Sequence, residues 1–83
     1  MSDTEALLEI RDRIRRRYES EPRVRLNVSL SRPRLRLEGV EARITGVYRH
    51  IFQIEETSGG ETRRHTLQYA DVLLGNIELC DLE

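Results

Sequence analysis

The chain has 83 residues, 37% hydrophobic and 35% charged, with a formal net charge of −1, enough for one domain (1–83) with a modest core and no room for a second. One Phe, three Tyr and no Trp leave that core to Leu, Ile and Val, and this aliphatic content argues against wholesale disorder. No apolar run approaches the roughly 20 residues of a membrane helix, and the acidic start Met1-Ser2-Asp3-Thr4-Glu5 is unlike a basic signal peptide.

Ser2 and Glu5 stand at the spacing of a capping box, in which each side chain satisfies the other residue's free backbone N–H. A helix over 2–20 follows. Leu7, Ile10, Ile14 and Tyr18 recur every three or four residues and form a narrow apolar stripe. Glu9–Arg13 and Asp12–Arg16 are four apart in the favourable order, and Arg15-Arg16-Arg17 reads as a solvated helix end of favourable charge. Pro22 stops the helix by disfavouring helical angles at Glu21.

Residues 23–82 read as β structure. Val24, Leu26, Val28 and Leu30 alternate with polar residues as a half-buried strand, and Ser31-Arg32-Pro33-Arg34 turns the chain. The run from Leu35 to Glu56 is a hairpin folded at Tyr48-Arg49-His50. Its apolar phase changes from Leu35 and Leu37 to Val40, Ala42, Ile44 and Tyr48, so an extra residue is expected at Glu38-Gly39, as in a β-bulge. Such a bulge bends the strand. Phe52 and Ile54 face inward on the return strand, opposite in phase to Gln53 and Glu55. After the Thr57-Ser58-Gly59-Gly60 loop, Glu61 to Leu67 is a fourth strand with Arg63, His65 and Leu67 on one face. Gln68 to Leu74 suits one turn of 3₁₀ helix, with Asp71 as a capping or turn residue. A last strand runs from Ile77 towards Leu82, where Cys80 is expected as a small, semi-buried side chain. This order predicts a mainly β fold: a small SH3-like or Sm-like five-stranded barrel with an N-terminal α-helix and a 3₁₀ turn before the last strand.

Charge is strongly partitioned. Arg11 to Arg36 carries a net +7, residues 1–10 carry −3 and residues 37–83 carry −5; all fourteen basic residues are Arg. The absence of Lys removes Schiff-base chemistry and the gripping lysine of phosphate loops. Arg25, Arg32, Arg34 and Arg36 are expected to gather on and beside one wet face, with Tyr48 as a candidate stacking platform. No catalytic residue, metal ligand set or cofactor site is read from the sequence. His50 and His65 have no Cys or His at ligand spacing, and Glu55 and Glu56 point to opposite faces of a strand, so they cannot share a proton. Cys80 has no sequence partner for an internal disulfide, which fits a reducing, cytoplasmic compartment.

The run Leu67-Gln68-Tyr69-Ala70-Asp71-Val72-Leu73, followed by Ile77-Glu78-Leu79, resembles the closing signature of the Veg family of small proteins from Gram-positive bacteria. Ile51-Phe52-Gln53-Ile54-Glu55 is similar to that family's Val-Phe-Val-Ile-Glu strand. The family's Gly-Val pair corresponds to Gly39-Val40 or, in another hairpin register, to Gly46-Val47. Arg32 to Arg36 resembles its basic loop; the family's Tyr-Pro turn is Tyr48-Arg49 here. The resemblance spans residues 5–80. It implies an SH3-like barrel without known catalysis, associated with regulation of transcription and stimulation of biofilm formation through a regulator. It supplies no catalytic or binding residues.

Two functions follow as expectations. One is a regulatory protein that binds a protein partner, possible homo-oligomers included. The other is an Sm-like nucleic-acid binder using the same arginines, against which net acidity and few aromatics count.

Overall fold

An 18-residue helix leads into five antiparallel strands in a computed structural model that describes residues 3–32 and 34–80. The elements are α1 (Asp3–Ser20), β1 (Arg23–Ser31), β2 (Arg34–Val47), β3 (Ile51–Ser58), β4 (Glu61–Gln68), α2 (Tyr69–Leu73) and β5 (Ile77–Leu79). The strands form one sheet in the order β4-β3-β2-β1-β5. The expected closure is not present: among the described residues the edge strands β4 and β5 pair only with β3 and β1, and β5 is three residues long. Ser2 of the capping box, Pro33 of the first turn, and Asp81 and Leu82 of the last strand lie outside the described residues.

Strand β2 is bent where its hydrophobic phase changes. Leu26 pairs with Val40 and Val28 with Leu37, so Glu38 and Gly39 together oppose Asn27. Gly39 takes φ +57°, and its N–H donates to the Asn27 side-chain oxygen at 2.6 Å. The extra residue returns Val40, Ala42 and Ile44 to the inner face. A Cβ on Gly39 would meet no atom within 4 Å, so Gly39→Ala is expected to lower the unfolding free energy by about 1–2 kcal/mol through backbone strain alone. A urea titration of the two proteins checks this.

A second irregularity was not visible in the apolar pattern. Ile44 pairs with Ile54 but Gly46 with Gln53, which leaves Thr45 as an additional residue on β2. Val47 then faces the core and Tyr48, expected inside, is half exposed. The Tyr48 ring folds back over Gly46, where a Cβ would stand 2.7 Å from ring atoms. Only glycine leaves room for that approach.

The core holds Val24, Leu26 and Val28 of β1, Ile44 of β2, Phe52 and Ile54 of β3, Leu67 of β4, Tyr69 of α2, Ile77 of β5 and Ile14 of α1, all nearly or fully excluded from water. Phe52 and Tyr69 stack with ring centroids 5.5 Å apart, an arrangement that adds to their area burial. Helix α1 packs on α2 and β2. Ile14 is its fully buried residue, Leu7 and Ile10 are half-buried beside it, and Tyr18 stays partly exposed at the rim. Arg13 pairs with Glu9 at 3.3 Å as the spacing requires, whereas Arg16 donates to the Asp12 backbone oxygen and not to its carboxylate.

The segment before the last strand is α-helical where a 3₁₀ turn was expected: Leu74 N–H donates to the Ala70 carbonyl at 3.0 Å, and only Gly75 tightens to a three-residue bond, to Val72. Packing of α2 against α1 supports the wider turn. Asp71 lies in the first turn of α2 and makes no side-chain cap; its carboxylate instead accepts from the Asn76 side-chain amide at 3.3 Å. Cys80 is exposed and not semi-buried, because Ile77 and Leu79 take the inner phase of β5 and Cys80 shares the outer one with Glu78. Among the described residues, no helix is long and apolar enough to cross a membrane.

Candidate functional site

Register decides which side chains share the outer face of the β1–β2 ladder. The inner pairs are Val24 with Ala42, Leu26 with Val40, Val28 with Leu37 and Leu30 with Leu35; the outer pairs are Arg23 with Arg43, Arg25 with Glu41, Ser29 with Arg36 and Ser31 with Arg34. Five arginines therefore line one exposed stripe, and the eight rises from Arg23 to Ser31, at about 3.3 Å each, make it about 26 Å long. Arg32, also exposed, follows β1 at its end.

The two ends of the stripe differ in what surrounds them. Around Arg23 and Arg43, shallow depressions are lined by Glu19, Glu21, Glu41 and Glu55, so positive charge there is locally balanced. Around Arg32, Arg34 and Arg36 the nearby carboxylate is Glu38, 3.2 Å from Arg36. Arg32 and Arg34 have no carboxylate within ion-pair distance among the described residues. The Arg36–Glu38 pair is about three-quarters exposed on both sides; such surface pairs contribute about 0–1 kcal/mol and exchange readily for another partner.

Backbone pairing isolates this end. Ser29 N–H still donates to the Asn76 carbonyl at 2.8 Å, but beyond it β1 pairs only with β2, and β2 before Ala42 pairs only with β1. Arg32 and Arg34 thus sit on a two-stranded ribbon extending past the sheet, with Arg36, opposite Ser29, at its base. Leu30 and Leu35, on its other face, pack against the core and hold it.

Of the residues expected at the site, Arg32, Arg34 and Arg36 are brought together. Arg25 shares the stripe but lies four residues back along β1 from Ser29, and it has its own exposed carboxylate neighbour, Glu41, at 3.2 Å. Tyr48 is not part of the group. It lies at the β2–β3 turn, twelve residues along β2 and its bends from Arg36.

Arg23 and Arg43 escaped the sequence reading because their adjacency depends on register, which hydrophobic alternation alone does not supply. The same holds for Glu56 and His65. Glu56 follows Phe52 and Ile54 in the inner phase of β3 and is buried, and its carboxylate meets His65 Nε2 at 2.9 Å. A buried carboxylate requires such a partner; the period-two run Phe52-Ile54-Glu56 was the available signal. Glu55, outward, accepts from Arg64 at 2.9 Å. Tyr69 hydroxyl donates to the Tyr48 carbonyl at 2.6 Å, tying α2 to the hairpin turn. Burial pushes its pKa up, opposed by that bond and by the Arg11 and Arg15 charges, so it remains a donor at neutral pH.

Among the described residues, no three His, Cys, Asp or Glu side chains converge as a metal set. Set against family models, curated proteins and solved structures, the chain matches none of them.

Proposed function

We propose that the chain is a non-enzymatic, cytoplasmic regulatory protein of the Veg type, which binds an acidic surface of a protein partner through the ribbon carrying Arg32, Arg34 and Arg36. The carrying observation is the placement of these three arginines at one exposed end of the β1–β2 ladder with one weakly held carboxylate beside them. An acidic partner surface would displace Glu38 at little cost and gain steering and orientation from the remaining charge. The strand order β4-β3-β2-β1-β5, the bulged β2 and the helical turn before β5 favour an SH3-like or Sm-like relationship. The Veg-like closing run Tyr69-Ala70-Asp71-Val72-Leu73 supports a role in transcriptional regulation and biofilm formation.

Capture from nuclease-treated extract of the source cells is expected to recover a partner with the wild-type chain. Recovery should fall by about tenfold or more with R32E/R34E, as expected when two charge contacts are reversed. Both positions are exposed, so the fold should be retained. Equal recovery by both chains would sink the ribbon as the contact.

A nucleic-acid reading draws on the same observation, because a two-stranded ribbon fits a major groove and arginines grip phosphates. Titration with single-stranded RNA and duplex DNA at two salt concentrations separates the readings: steep weakening with salt supports it, and no binding at low salt ends it.

A further inference from the structure

At the other end of β2 from the arginine ribbon, a cavity of about 390 Å³ opens between the first half of α1, the β2–β3 turn and the start of α2. Its apolar side is formed by Leu7, Leu8, Tyr69 and Ala70, and its polar side includes Arg11, Arg49 and His50; among the described residues no Asp or Glu lines it. The volume falls within the range of small ligand sites. Its two sides set what can enter.

Apolar surface continues beyond the cavity. Ala70, Leu73 and Leu74 stand three and four apart and share a face of α2, and Leu73 and Leu74 are 41% and 72% exposed. Leu8, across the opening on α1, is 43% exposed. Leu8 at the cavity, with Leu73 and Leu74 on the face of α2 that Ala70 carries into it, are apolar side chains left in water, and covering such a side chain stabilises by about 1.5–3 kcal/mol.

Arg11 adds positive charge to the same opening. It lines the cavity, and its Nε is shielded from water with no hydrogen-bond acceptor among the described residues. With Arg49 and His50 on the same rim, the group that best complements this charge is a carboxylate.

We infer that this groove is a second binding site, for an acidic amphipathic segment of a partner protein. A large apolar side chain of the segment seats between Leu8 and the Ala70–Leu73 face, and an Asp or Glu carboxylate meets Arg11 and Arg49. Nucleic acid satisfies the cations but leaves the leucines uncovered, so the protein segment is the better match. The inference goes beyond the ribbon reading and does not depend on it, because Arg49 and Arg34 stand at opposite ends of β2.

The test is an amide chemical-shift titration of the full isotope-labelled chain with three probes. These are a synthetic amphipathic peptide with leucines on one face and Glu and Asp on the other, its Lys-for-acid counterpart, and an oligothymidylate. The acidic peptide should give saturable shifts at Thr4, Leu8, Arg11, Arg49, Gln68 and Ala70. Arg49→Glu and Leu8→Asp, both at exposed positions, should each weaken it by about tenfold, while R32E/R34E leaves it unchanged. Absence of saturable shifts, shifts centred elsewhere, or equal binding of the Lys peptide or the oligonucleotide would overturn the site. Failure here leaves the capture result with R32E/R34E standing on its own.

Discussion

Replacing Phe52 with Ala is expected to remove about 3–5 kcal/mol of stability, the usual cost of deleting a fully buried aromatic ring. Phe52 is the one Phe in the chain, has no exposed surface, and stacks on Tyr69 at 5.5 Å. Its loss would open a cavity between β3 and α2 and unseat Tyr69, whose hydroxyl holds the Tyr48 carbonyl. A domain of this length has about 4–12 kcal/mol in total, so the variant should be partly or wholly unfolded at room temperature. Denaturant titration followed by circular dichroism reads this directly. A loss below about 1 kcal/mol would mean that the ring is not the centre of the core.

Ile14→Ala should cost about 2–4 kcal/mol, because a fully buried aliphatic side chain is cut back in a site that cannot collapse around it. The chain between α1 and β1 is only Glu21-Pro22, and Pro22 carbonyl accepts from Ile44 N–H at 2.8 Å. The helix end is therefore anchored to β2 and cannot drift to refill the space. Helix and sheet should unfold in one transition, with equal midpoints by circular dichroism and by tyrosine fluorescence. Two separated transitions, or an unchanged midpoint in the variant, would make α1 an appendage. The groove between α1 and α2 would then have no fixed wall.

Wherever one face of an element is dry, the sequence was informative. The stripe Leu7-Ile10-Ile14, though not its last member Tyr18, the alternation Val24 to Leu30, and the phase change at Glu38-Gly39 each correspond to an observed feature, because burial leaves a period in the residue types. The second irregularity, at Thr45, left no such trace. Gly46 follows it and carries no side chain, so the inner phase could resume at Val47 without a visible slip. Closure failed for a related reason: whether edge strands meet depends on accumulated twist and on a β5 of three residues, and neither is written in apolar spacing.

Site residues were legible only where chain proximity sufficed. Arg32, Arg34 and Arg36 surround one turn, so any hairpin there gathers them. Arg25 needed its cross-strand neighbour, and register puts the acidic Glu41 in that place. Tyr48 was assigned to the same group from residue type alone, without a distance to support it. The groove at Arg11, Arg49 and Ala70 joins three segments remote in sequence, and no local motif marks it.

The central claim is that the arginine ribbon itself touches a protein. Placing a photo-crosslinking amino acid at exposed Ser31, opposite Arg34, and in a second chain at exposed Thr62 on the β4 edge tests it most directly. Illumination in the source cells should join a protein to the Ser31 chain and none to the Thr62 chain. Adducts at Thr62 alone, nucleic acid in place of protein at Ser31, or no adduct at Ser31 would contradict the account.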